Sequence, residues 1–198
     1  MSKKYDCPAV FPISTILAVF AFSTCWMVSD IADPTWIFGN SMLSDMGISN
    51  VDVTRILFNI SCIVCGLILI AFGLCKVMCR VGIEAGSGFL IVPAGFFLAM
   101  VGIFPSDYVH WLHLFVAYGF GVCAVFSVLM SMCSYWYDRK MMGFGFGVTC
   151  IVVCSATMVS CNAALAEAWL VILFLCWILI DSIIMVIDDH HMKRGKAV

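Results

Sequence analysis

The chain has 198 residues, of which 64% are hydrophobic and only 11% are charged, and its formal net charge is -2. Its mean hydropathy is +1.10, whereas soluble domains carry about 25% charged residues. This composition excludes a soluble globular protein and indicates an integral membrane protein.

Six apolar runs are long enough to cross a membrane, because a hydrocarbon core of about 30 Å needs roughly 20 helical residues. The runs show no alternation of period two, which excludes an outer-membrane barrel. The sequence therefore predicts an all-α fold, a six-transmembrane-helix bundle that forms one integral membrane domain over residues 1–198. The predicted spans are residues 8–29, 53–75, 86–104, 109–134, 142–161 and 163–187.

The basic residues are distributed unevenly between the two sides of this predicted bundle. Cytoplasmic loops of membrane proteins are enriched in Lys and Arg. Nine of the ten basic residues fall on the side that holds both termini, namely Lys3, Lys4, Lys76, Arg80, Arg139, Lys140, Lys193, Arg194 and Lys196. Only Arg55 falls on the other side, so we expect a cell-membrane protein with both termini in the cytoplasm.

The opposite, outer side carries polar residues from four segments at similar predicted membrane depth. The stretch NSMLSDMG places Asp45 in the first outer loop, and Arg55 lies about one turn into the second span. Ionisable residues at such depth are costly unless they are partnered, which makes them candidates for a functional site. The predicted outer pocket contains Asp45, Arg55, Asn59, His110, His113 and Glu167.

Three chemistries fit these residues. First, His110, His113 and Glu167 offer imidazole and carboxylate ligands for a divalent metal that activates water or polarises an ester. Second, the histidines and Glu167 can carry protons for a transported solute, with Asp181 as the one obvious counterpart on the inner side. Third, the polar residues are structural, with Arg55 paired to Glu167, and the bundle is a scaffold for other proteins. The residues themselves leave these three alternatives open.

Twelve cysteines raise the question of a metal or redox site. A zinc site needs four converging ligands, and a free buried cysteine behaves mostly as a small hydrophobic residue. We therefore interpret the cysteines mainly as packing residues. Cys25 and Cys161 both lie near outer helix ends, so a disulfide between them is a further alternative that the sequence leaves open.

Several motifs, in this order, resemble the bacterial and archaeal membrane family known as domain of unknown function 998, whose six-span proteins are distantly similar to eukaryotic DRAM and Frag-type proteins. The resemblance covers about Asn40 to Trp169. This chain departs from the family pattern in two ways: two histidines follow the Pro-Ser-Asp, and no Arg follows Glu167. The motifs are NSMLSDMG, LFNISCIVCGLILIAFGL, VGIFPSD with a downstream His, and Glu167 at the opening of the sixth span.

The resemblance implies six helices and an outward polar cluster, and the eukaryotic relatives are linked with autophagy and lipid remodelling. We therefore expect recognition or processing of a lipid headgroup. The expected catalytic residues are Asp45, His110, His113 and Glu167, the expected ligand-binding residues are Arg55, Asn59 and Asp107, and the candidate cofactor is a divalent metal. We expect membrane lipids as partners and no nucleic acid, and either a homo-oligomer or a membrane-protein partner.

Overall fold

The computed structural model describes residues 7–107 and 109–195, with side chains described as far as His190. The predicted inner charges Lys3, Lys4 and Lys196, and the side chains of Lys193 and Arg194, lie outside the described residues. The long helices are α1 (Val10–Ala32), α2 (Asp52–Cys79), α3 (Ile83–Ile103), α4 (His110–Tyr137), α5 (Met141–Ser160) and α6 (Ala163–Gly195). Each is long and apolar enough to cross a membrane, which confirms the six-helix, all-α prediction.

The helices follow one another around the bundle in chain order. Each helix packs against the next one along the chain, and α6 closes the bundle by packing on α1. A short 3₁₀ helix, Leu43–Ile48, lies in the connection between α1 and α2 and contacts both α2 and α6. We call this element the loop helix. The end of the bundle that carries it is the loop end, and the opposite end is the termini end.

Helices α2 and α3 approach so closely that glycine is required on both sides of their contact. A Cβ atom added to Gly66 would lie 2.5 Å from the carbonyl oxygen of Gly95, and one added to Gly95 would lie 2.6 Å from that of Gly66. Further along the same pair, a Cβ on Gly73 would lie 2.8 Å from the carbonyl oxygen of Gly88. Small residues allow such backbone contact, which holds helices together where lipid removes the hydrophobic driving force.

A cluster of buried charges joins α2, α4 and α6 near the termini end. Lys76 Nζ lies 2.6 Å from Asp181 Oδ2 and 2.9 Å from Oδ1, and the Tyr135 hydroxyl donates to the same carboxylate. The side chains of Lys76 and Asp181 are only 1% and 2% exposed, so the pair is enclosed by the helices. Sequence analysis placed Lys76 in an inner loop, whereas the structure places it inside the bundle.

We predict that Gly95→Ala destabilises the protein, because the new methyl group would collide with backbone atoms of α2. Forced overpacking of this kind costs roughly 1–3 kcal/mol. Gly145→Ala is the matched control, since a Cβ at Gly145 meets nothing within 4 Å. Thermal unfolding in detergent should show a lowered midpoint for Gly95→Ala alone. Equal midpoints for the two variants would contradict the glycine-mediated contact.

A double-mutant cycle tests the Lys76–Asp181 pair. Lys76→Met leaves a buried carboxylate without its cation, and breaking a buried pair costs about 3–5 kcal/mol. Replacing both partners, as Lys76→Met with Asp181→Leu, removes the unpaired charge and should recover most of the lost stability. Thermal unfolding of the single and double variants measures the coupling, and a double variant as unstable as the sum of the two single variants would refute it.

Candidate functional site

A cavity of about 970 Å³ lies between α4, α5 and α6 and reaches the loop helix. Most of its wall is apolar, with Phe22 from α1, Val101 from α3, Phe120 and Val125 from α4 and Leu170 from α6. Its polar lining is concentrated toward the loop end of the bundle. The polar residues there are Ser44, Asp45, Ser106, His110, His113 and Glu167.

The cavity opens sideways, between α4 and α5. Lining residues of both helices are also exposed on the outside of the bundle, among them Tyr118, Val122 and Phe126 on α4 and Met158 and Val159 on α5. Because His110 and Phe126 both line it, the cavity follows α4 for about 24 Å at 1.5 Å per residue. A space of this length, polar at one end and apolar along the rest, has the polarity pattern of an amphiphile.

Glu167 connects α6 to the loop helix. Its Oε2 accepts a hydrogen bond of 2.8 Å from the backbone N–H of Leu43, and Ser44 lies against the same carboxylate. Asp45 closes the start of the loop helix from the other side, because its Oδ2 accepts a 2.9 Å hydrogen bond from Met42 N–H. The two acidic residues thus satisfy backbone donors that a helix start leaves unpaired.

The connection that carries the loop helix is fixed by further hydrogen bonds. The Ser49 hydroxyl and the Thr35 hydroxyl both donate to Asp33 at the end of α1. These bonds, from Ser49 first, hold the pKa of Asp33 below its ordinary value, because they favour the charged carboxylate. The Trp36 indole donates to the Met42 carbonyl oxygen over 2.8 Å. These hydrogen bonds therefore fix the position of the loop helix, which lines one end of the cavity.

The two histidines differ in their surroundings. His113 is buried, and its Nδ1 lies 2.9 Å from the Phe104 carbonyl oxygen. A carbonyl can only accept, so Nδ1 carries the proton and Nε2 is the nitrogen left for a ligand. His110 is exposed at the first turn of α4. Both residues line the cavity.

Four predicted site residues therefore share one cavity, whereas Arg55, Asn59 and Asp107 do not line it. The Arg55 guanidinium is 2.5 Å from Asp52, and its side chain is 45% exposed. The predicted alternative of an Arg55–Glu167 pair is thus replaced by a local pair within one helical turn. Asn59 Nδ2 donates to the Gly47 carbonyl oxygen over 3.0 Å, which anchors the loop helix. Asp107 is exposed.

The predicted metal ligands His110, His113 and Glu167 are not assembled around one point. Within the described part of the chain, the side chains that bring three ligand atoms within 4.8 Å of one another are Cys7, Cys75 and Cys79. The cavity therefore gives no geometric support to a divalent metal. All twelve cysteines are free, so Cys25 and Cys161 do not form the disulfide that the sequence left open.

Sequence analysis missed the small residues that create the cavity. Ala117 and Gly121 lie one turn apart on α4, and Ala166 faces the same space from α6. Small residues at such spacing are usually interpreted as close helix contacts. Here they line a space, because α5 lies at the periphery of the bundle, with only Gly143, Gly147 and Cys150 buried.

These features place the chain in the class of multi-pass helical membrane proteins, with a laterally open cavity that is polar at one end. Residues 16–182 match the family described as "Protein of unknown function (DUF998)", and the chain belongs to that family. This confirms the resemblance found in the motifs. No curated protein and no solved structure was found to match the chain.

The hydrogen bond between Glu167 and the loop helix can be tested by two substitutions. Glu167→Gln keeps a side-chain oxygen that accepts from Leu43 N–H, and we expect a near-native unfolding midpoint. Glu167→Ala leaves that amide without its acceptor, which costs about 1–3 kcal/mol. Thermal unfolding in detergent distinguishes the two. A Gln variant as unstable as the Ala variant would show that the charge of Glu167, and not its hydrogen bond, holds the loop helix.

Proposed function

We propose that this protein binds one membrane lipid in the cavity between α4, α5 and α6 and recognises or processes its headgroup at the loop end. The observation that carries the proposal is the cavity itself, which joins an apolar passage to a polar end and opens sideways. A lateral opening admits a lipid directly from the bilayer. A volume of about 970 Å³ lies at the upper end of the range typical of ligand sites.

The polar end favours a headgroup that donates hydrogen bonds. Asp45 and Glu167 are acceptors when ionised, and the Nε2 atom of His113 is an acceptor while Nδ1 holds its proton. A hydroxyl or ammonium headgroup matches this set. Arg55, expected from the sequence to bind the ligand, belongs to a local ion pair with Asp52 and does not line the cavity, so the proposal does not include it.

Processing of the headgroup would use the same residues. A neutral imidazole can take a proton from an attacking hydroxyl, and the imidazolium that forms can give this proton to the leaving group. His113 is the better candidate for this role, because the Phe104 carbonyl fixes its ring and tautomer. His110, at the exposed start of α4, is placed to exchange protons with the headgroup layer.

The uneven distribution of basic residues supports an orientation. An even number of spans puts both termini on the side that carries nine of the ten Lys and Arg residues, which is the cytoplasmic side by the positive-inside rule. The loop end then faces outward in the cell membrane. In this orientation the bound headgroup belongs to the outer leaflet.

Gly121→Leu tests whether the cavity holds lipid. Gly121 lines the cavity, and a Cβ there would meet Leu170 only at 3.4 Å, an ordinary contact, so a larger side chain should fill the space without breaking the bundle. We expect about one co-purified lipid per native chain. We expect the Leu side chain to weaken the free energy of lipid binding by about 1.4 kcal/mol, which is roughly tenfold weaker binding of a labelled lipid to the variant. Mass spectrometry and titration in mixed micelles measure the two quantities.

Gly145→Leu is the control for this experiment, because Gly145 is a helical glycine on the exposed side of α5, away from the cavity. It should bind lipid as the native chain does. Equal lipid binding by the two leucine variants would exclude the cavity as the site. Solute uptake into vesicles that collapses with the pH gradient would favour a transporter instead, and a protein partner retained by both variants in the absence of bound lipid would favour a scaffold.

A further inference from the structure

Three cysteine side chains meet at the termini end of the bundle, away from the cavity. Cys7 Sγ lies 3.3 Å from Cys75 Sγ, and Cys75 Sγ lies 3.8 Å from Cys79 Sγ. All three sulfur atoms are within 4.8 Å of one another. Each residue is buried, with Cys7 only 2% exposed.

Two of the three cysteines are neighbours on one helix, and the third comes from a distant part of the chain. Cys75 and Cys79 lie one turn apart on the last turns of α2, so their side chains share one face of the helix. Cys7 lies in the segment before α1, and 68 positions in the sequence separate it from Cys75. Packing of this segment against the end of α2 completes the cluster.

A buried cation lies beside the sulfur atoms. Arg80 directly follows Cys79 and is 2% exposed. The pKa of the Cys7 thiol is raised by its hydrogen bond with Cys75 first and then by burial, and Arg80 opposes this rise. Its Nε and Nη2 atoms each lie 3.3 Å from a carboxylate, of Glu84 and Asp189 respectively. Among the described residues, its Nη1 has no hydrogen-bond acceptor. A thiolate nearby would supply negative charge that this guanidinium stabilises.

We propose that Cys7, Cys75 and Cys79 bind one copper(I) ion through three sulfur ligands. Soft thiolates select copper(I), zinc and iron–sulfur clusters among the metals of proteins. A structural zinc ion takes four ligands in a tetrahedron, and the cluster of described residues offers three. Among the described residues, a buried three-sulfur site of this kind fits copper(I) better than zinc.

The required movement of the sulfur atoms is small. With metal–sulfur bonds of about 2.3 Å, the value known for zinc, the sulfurs of a planar three-coordinate site lie about 4.0 Å apart. The observed separations of 3.3 and 3.8 Å are about 0.7 and 0.2 Å shorter than that value. Binding replaces sulfur–hydrogen bonds by copper–sulfur bonds and releases the protons to solvent. The oxidation state of the metal does not change.

The test is a titration of the full-length protein in detergent with copper(I), under anaerobic and reducing conditions and against a chromophoric copper(I) chelator. We expect one equivalent bound per chain, together with a thiolate-to-copper charge-transfer band in the ultraviolet. Loss of an outer-shell partner costs 10–100-fold in metal affinity, so loss of a ligand in Cys7→Ser should lower the affinity by roughly 100-fold or more. Because Cys7 is buried, the copper-free unfolding midpoint of Cys7→Ser is measured as well, and the affinity comparison uses conditions in which the variant is folded.

The matched control is the double variant Cys150→Ser with Cys154→Ser. This pair has the same spacing on α5 but belongs to no three-ligand cluster among the described residues, so it should bind copper as the native chain does. Equal affinity of Cys7→Ser and this control would overturn the proposal, as would preferred binding of zinc or a Cys7–Cys75 disulfide in the protein under these conditions. The outcome is independent of lipid binding, which is measured at the other end of the bundle.

Discussion

The backbone contact between α2 and α3 is the constraint on which the rest of the bundle depends. Glycines on both helices allow the carbonyl oxygen of Gly95 to approach Gly66 within a distance that any side chain would forbid. In a bilayer, such close packing supplies the attraction that burial from water supplies in a soluble protein. Helices α2 and α3 therefore form a closely packed pair, with α1 packed against α2 and α4 packed against α3.

The opposite half of the bundle is built in another way. Small residues on α4 and α6, such as Gly121 and Ala166, line an open space and do not draw the helices together. Closure at this side depends on contacts at the ends: the Lys76–Asp181 pair joins α2 to α6 near the termini end, and Glu167 joins α6 to the loop helix at the loop end. Fixed ends with a loosely packed middle leave room for a cavity.

Hydropathy was sufficient to predict all six helices, because crossing a membrane requires long apolar segments. The membrane depth of Asp45, His110, His113 and Glu167 also followed from their distance to helix ends, and these four share one cavity. Depth alone was insufficient for the remaining residues. Arg55 has a similar predicted depth, but its side chain is 45% exposed and pairs with Asp52, as long basic side chains at helix ends often reach the surface. Only the three-dimensional helix order shows which face each residue presents.

Helix α2 also separates the two candidate sites. Cys62 lines the cavity, and Cys75 belongs to the sulfur cluster thirteen residues further along the same helix, so about 20 Å of helix lies between them. A metal ion held by the cysteines is therefore too far away to activate water or a headgroup in the cavity. A metal at the cysteines would act on that chemistry only through the stability and position of α2, which is the helix that the glycine contacts hold most firmly.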